Sequence, residues 1–159
     1  LSRYFGGAEM ENLELSLTRE VGAPLVVRYA FKVPDFARKD GERLVLGPIG
    51  FPAQLGRRYV QIGARTTPLF IDSTERTTTR VTLKLPAGYV LDGPIGELAI
   101  DHDFGRFVRR EKQTGDTVEI EEESRLPMMR LPPARYDDFA HFAGQVDLVQ
   151  TRDLLIVPR

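Results

Sequence analysis

The segment Ala99-Ile100-Asp101-His102-Asp103 sets one imidazole between two carboxylates. Those groups suit metal ligation or an acid–base pair. In an extended strand, however, adjacent side chains leave opposite faces, so His102 diverges from Asp101. Asp101 and Asp103 can share a face, but two carboxylates alone make a weak metal site. The segment reads as a polar strand end entering a turn. The other histidine, His141, falls in a helical pattern with no second histidine three or four residues away. It therefore lacks the paired-ligand spacing of a helical metal site and reads as a helix-surface residue.

Nucleophilic chemistry finds little support. The sequence has no cysteine, which removes thiol nucleophiles and thiolate metal sites together. Its four serines, Ser2, Ser16, Ser73 and Ser124, lie in no nucleophile-elbow pattern. The acidic run Glu119–Glu123 lacks the Asp/Asn/Gly spacing of a calcium loop, and alternation splits Glu121 from Glu122. It reads as a solvated or salt-bridged strand. Gly47-Pro48-Ile49-Gly50 and Gly93-Pro94-Ile95-Gly96 are interrupted by proline and open no helix, so neither is a phosphate cradle. No catalytic, cofactor-binding or metal-binding residue is assigned, and no cofactor is expected. A sugar-binding module would need an aromatic platform. There is no tryptophan, and Tyr4, Phe5, Phe51 and Tyr89 are the aromatics outside alternating or helical positions.

The elements that would position any site are mostly strands. Leu13, Leu15 and Leu17 alternate with polar residues, and Leu25, Val27, Tyr29, Phe31 and Val33 fall on one side of a second run. This period predicts two half-buried strands, separated by Gly22-Ala23-Pro24 and able to form a hairpin. Prolines and glycines over 34–56 predict an irregular connection with one short strand at Arg43–Leu46. Further strands are expected at Arg58–Ile62, Leu69–Asp72, Thr77–Leu85, Leu98–Asp101, Phe107–Glu111 and Thr117–Glu123. Gln113-Thr114-Gly115-Asp116 supplies the turn of a hairpin between the last two. Arg106, Arg109 and Arg110 before that turn and Glu119, Glu121 and Glu123 after it pair in either plausible register, so the register stays open.

The period changes after Pro132-Pro133. Tyr136, Phe139, Ala140, Ala143 and Val146 recur at three and four residues, with Asp137 and Asp138 in the first turn, which predicts an amphipathic helix. Leu154–Val157 is either a last strand or the helix end. The expected fold is mainly β: an antiparallel β-sandwich with one C-terminal α-helix, forming a single domain over 1–159.

With 159 residues, 42% hydrophobic and 28% charged, the chain can build and clothe a core. A net charge of −1 provides no global field to gather nucleic acid or anionic lipid. No apolar run approaches the ~20 residues of a membrane-spanning helix, so neither nucleic acid nor membrane insertion is expected. The chain opens at Leu1 without a signal peptide, which reads as a fragment of a larger multidomain protein.

Two blocks, Arg65-Thr66-Thr67-Pro68-Leu69-Phe70-Ile71 and Thr77–Tyr89, stand with the strand pair Phe104–Glu111 and Thr117–Glu122. Leu131-Pro132-Pro133-Ala134-Arg135-Tyr136-Asp137-Asp138-Phe139 and Val146-Asp147 complete the set. Together they resemble the C-terminal β-rich region of bacterial transglutaminase-like proteins, over roughly the second two-thirds of the chain. The resemblance implies a companion domain to a papain-type core whose Cys-His-Asp lies elsewhere, since no cysteine is present. It also implies a periplasmic or cell-envelope setting. The expectation is a non-catalytic accessory or protein-interaction domain, not an enzyme, whose partner is the transglutaminase-like core of the same chain or of another protein. The competing expectation is a sandwich that binds carbohydrate or peptide.

Overall fold

The alternating leucines near the start lie in β1 (Glu9–Leu15), which pairs antiparallel with β2 (Val27–Lys32). The computed structural model describes residues 5–16, 22–60, 63–93 and 95–159. Its contacts divide the chain after Arg38 into two compact units. In the first unit, Phe5 is buried against the rings of Phe31 and Phe36, with centroids 5.2 and 5.8 Å away. The expected hairpin is present. Its expected dry face is not dry: Leu13, Leu15 and Leu25 are more than half exposed. Leu17 lies outside the described residues.

The second unit begins within β3 (Ala37–Asp40), which turns through Gly41-Glu42 into β4 (Arg43–Leu46). The connection expected over 34–56 is thus more ordered than its prolines suggest. Next comes a short helix, α1 (Leu55–Tyr59), where a strand was expected from Arg58. Gln61 and Ile62, the end of that expected strand, lie outside the described residues. The cause of the helix is distant in sequence. Asp147 accepts hydrogen bonds from the backbone N–H groups of Leu55 and Gly56, both at 2.8 Å, and Gln150 Oε1 accepts one from Ala53 at 2.9 Å. These acceptors satisfy the N–H groups that a helix start leaves without partners.

The remaining strands are β5 (Leu69–Ile71), β6 (Glu75–Lys84), β7 (Tyr89–Asp92), β8 (Glu97–His102), β9 (Gly105–Thr114), β10 (Thr117–Leu126), β11 (Met129–Leu131) and β12 (Leu154–Pro158). One four-stranded sheet runs β6-β10-β9-β8 and another runs β3-β4-β12-β7, while β11 pairs with β5. Every described pairing is antiparallel. Leu154–Val157 is therefore a strand. Thr117 pairs with Thr114, which leaves Gly115-Asp116 as a two-residue turn with Gly115 at a φ of 62°. That left-handed conformation suits glycine.

The C-terminal helix, α2 (Tyr136–Gln150), follows a 3₁₀ turn at Pro133–Arg135. Tyr136, Phe139, Ala143 and Val146 are buried as their spacing predicts, and Phe142 joins them. This stripe packs with Leu55, Leu69, Ile71, Phe104, Phe107, Leu126 and Leu131 into one core. The architecture is mainly β, of several antiparallel sheets with a C-terminal helix, as expected of a β-sandwich. No helix among the described residues is long and apolar enough to cross a membrane.

Candidate functional site

The β6-β10-β9-β8 sheet places different chemistry on its two faces. Alternation puts Val118, Ile120, Glu122 and Leu126 of β10 inward, beside Phe107, Arg109 and Glu111 of β9. Glu122 stands opposite Arg109, and its Oε1 accepts from Arg109 Nη1 at 2.6 Å. Arg109 Nε donates to Glu111 Oε1, also at 2.6 Å. Gln150 Nε2 donates to Glu122 Oε2 at 3.1 Å, which ties the end of α2 to the sheet. Arg152 Nη2 also donates to Glu111 Oε1.

Two guanidiniums and two carboxylates thus form a neutral cluster beneath the helix end. Its groups pair with one another, as buried charges must when water is excluded, and Arg109, Glu111 and Arg152 also border a cavity of about 230 Å³. Glu111 Oε2 and Arg152 Nε are buried without a partner among the described residues. Glu122 belongs to the run expected as a solvated or salt-bridged strand. It is salt-bridged, but buried. The missed signal was parity: Glu122 continues the every-second-residue series of Val118 and Ile120 on their side of the strand, and Arg109 follows Phe107 in the same way.

The outer face carries exposed charge. Arg80, Arg110 and Lys112 surround Glu121 and Glu119 across the three longest strands. At the β8–β9 turn this face deepens into a groove of about 480 Å³, floored by Val108 and lined by Arg76, Arg106, Arg125, Glu123 and Ser124. The turn needs Gly105, because a Cβ there would overlap the carbonyl oxygen of Arg125.

Asp101, His102 and Asp103 also line this groove, but they do not converge on one point. His102 stacks on Phe104, with centroids 4.3 Å apart and planes 13° from parallel. Asp101 pairs with Arg106 at 3.5 Å, whereas Asp103 turns to Arg135 at 3.6 Å. The segment is the polar strand end and turn that alternation implied. His141 is exposed on α2. Among the described residues, no three histidine, aspartate or glutamate side chains gather where one metal ion would touch them all. Of the four aromatics outside regular positions, Phe5 is buried, Phe51 is exposed, Tyr89 is half-buried at the start of β7, and Tyr4 lies outside the described residues.

A third feature belongs to the first unit. The β1–β2 register slips between Met10 and Asn12, so Met10 faces Phe31, Leu13 faces Tyr29 and Leu15 faces Val27. The slip keeps Met10 in phase with Leu13. One face of the ribbon is therefore apolar, and the other carries Asn12, Glu14, Arg28 and Lys32. The apolar face is open to solvent: Leu13 is 55% exposed, Leu15 53% and Val27 43%.

Residues 42–156, most of the second unit, match a family described as a domain of unknown function with a solved structure, DUF3858. The fold is similar to that of a Parabacteroides distasonis protein provisionally described as a protease, with a TM-score of 0.63 at 20% identity. The match covers 77% of this chain and 24% of that one, so the chain spans about a quarter of its structural relative. At this identity the likeness is one of fold. No curated protein sequence matches the chain.

Proposed function

Because the chain belongs to the DUF3858 family, we propose that it is a non-catalytic accessory domain that docks on another folded unit. The observation that carries this reading is the apolar face of the β1–β2 ribbon. An isolated two-stranded hairpin is marginal in water, and contiguous exposed apolar residues mark an interaction surface. Leu13, Leu15, Val27 and Tyr29 form such a set on one face of the ribbon, with polar residues on the other.

The partner on this reading is a transglutaminase-like, papain-type core, in the same chain or in another protein. The sequence resemblance points there. The provisional description of the Parabacteroides protein as a protease suits a papain-type core that carries an accessory domain. Arg109 pairs with Glu111 and Glu122, and Asp103 with Arg135, and this use of charged residues within the fold favours a supporting role over catalysis.

The full open reading frame and a binding measurement test the reading together. The frame, or its neighbour, is expected to encode a transglutaminase-like core with its cysteine. That core, produced separately, is expected to bind this chain, and Leu13→Asp with Val27→Asp to weaken binding by roughly tenfold or more, as loss of central apolar contacts does. Absence of such a core, or binding indifferent to both substitutions, refutes the proposal.

A further inference from the structure

The outer face of the β6-β10-β9-β8 sheet reads as rows, because each β10 residue has a direct partner on either side. In one row Arg80, Glu121, Arg110 and Glu97 alternate in sign. Each neighbour is an ion pair: Arg80 to Glu121 at 2.7 Å, Arg110 to Glu121 at 3.8 Å and Arg110 to Glu97 at 2.8 Å. A parallel row nearer the β8–β9 turn reads Arg76, Arg125, Arg106, Asp101. Its second position holds arginine where the other row holds glutamate.

Directly opposed residues of antiparallel strands lie about 4.5–5.5 Å apart at Cα, and like charges placed so are destabilising. Of the three adjacent guanidiniums, Arg106 alone has a carboxylate of the sheet beside it in its row. Asp101 reaches Arg106. Glu123 is held by Arg110 at 2.9 Å and Asp103 by Arg135. Arg76 and Arg125 make no ion pair among the described residues, and both line the groove of about 480 Å³.

We infer that this groove binds a soluble phosphate group, held between Arg76 and Arg125 with Arg106 alongside. The charge count selects the class. Asp101, Asp103 and Glu123 also line the groove but are paired with Arg106, Arg135 and Arg110, which leaves the Arg76 and Arg125 guanidiniums to be met, and a carboxylate carries one charge. A phosphate monoester carries about −1.5 to −2 at neutral pH and presents three strong acceptor oxygens. Guanidinium and phosphate also match as two-pronged hydrogen-bonding partners. Ser124 and the groove wall at Pro127 bound the space.

The test is a titration of the whole chain with inorganic phosphate at constant ionic strength, followed by the arginine Nε–Hε resonances. Saturable shifts at Arg76, Arg106 and Arg125, absent at Arg80, are expected. Arg76→Gln is expected to weaken binding ~10-fold or more. Arg125→Glu converts the row to alternating sign. It is expected to abolish binding and, without phosphate, to raise the melting temperature by about 2–4 °C. Arg80→Gln leaves binding unchanged. Equal saturation by acetate, binding only to vesicles containing phosphatidic acid, or shifts no larger than chloride produces each overturns the inference.

Discussion

Glu122 of β10 lies directly opposite Arg109 of β9, and their side chains, 9% and 6% exposed, meet at 2.6 Å beneath the end of α2. Removing Glu122 leaves two guanidiniums on one carboxylate in the interior and takes the acceptor from Gln150. Glu122→Ala is therefore expected to destabilise the fold by about 3–5 kcal/mol. The double variant Arg109→Met with Glu122→Leu recovers most of that loss, since an apolar pair needs no compensation. Urea unfolding of the three proteins checks this. A single variant as stable as the parent contradicts it.

Asp147 reaches α1 across ninety-odd residues of sequence to hold its first two N–H groups. Asp147→Ala is expected to cost about 1–2 kcal/mol, the range of a lost helix cap. The cost falls locally: amide exchange at Leu55 and Gly56 accelerates, while the central β9 and β10 amides keep their protection relative to global stability. Uniform acceleration would show that the carboxylate has no particular hold on α1.

Arg58 of α1 and Glu75 of β6 make a two-pronged pair, with Arg58 Nη1 at 2.8 Å from Glu75 Oε2, and Tyr59 donates its hydroxyl to Glu75 at 2.9 Å. The Arg58 hydrogen bond holds the Glu75 carboxyl below its ordinary 4.5, against the opposing effect of burial. Burial and then the bond to Glu75 push Tyr59 above 10.0. A depressed carboxyl contributes stability that is complete above 4.5 and lost as pH falls through the folded value. A raised phenol contributes stability that is complete below 10.0 and lost as pH rises through its folded value. Glu75→Gln is expected to flatten the acid limb of a stability–pH profile measured by thermal melts. An acid limb of unchanged slope would show that Glu75 does not shape it.

Local periodicity determined the elements that alternate or repeat within themselves. Leucines at 13 and 15, the threonines and aliphatics of 77–85, and the Gly115-Asp116 turn specify strands and a hairpin, because a side chain's face follows from its own position in the chain. Tyr136, Phe139, Ala143 and Val146 specify α2 by the same logic at a different period. The dispersal of Asp101 and His102 was legible too, since a strand cannot aim neighbouring residues at one point.

The tertiary structure decided whatever depends on a distant partner. Residues 55–59 became helical because Asp147 supplies their cap, and no local pattern carries that. The charged run of β10 divided into a buried Glu122 and a half-buried Glu121 only when α2 covered one face. The row of Arg76, Arg125 and Arg106 exists only in the register that the sheet adopted. A shift of one residue would send those side chains to opposite faces. The leucines of β1 announced an apolar face, but whether such a face is buried depends on what packs against it, and in this chain it stays open to solvent.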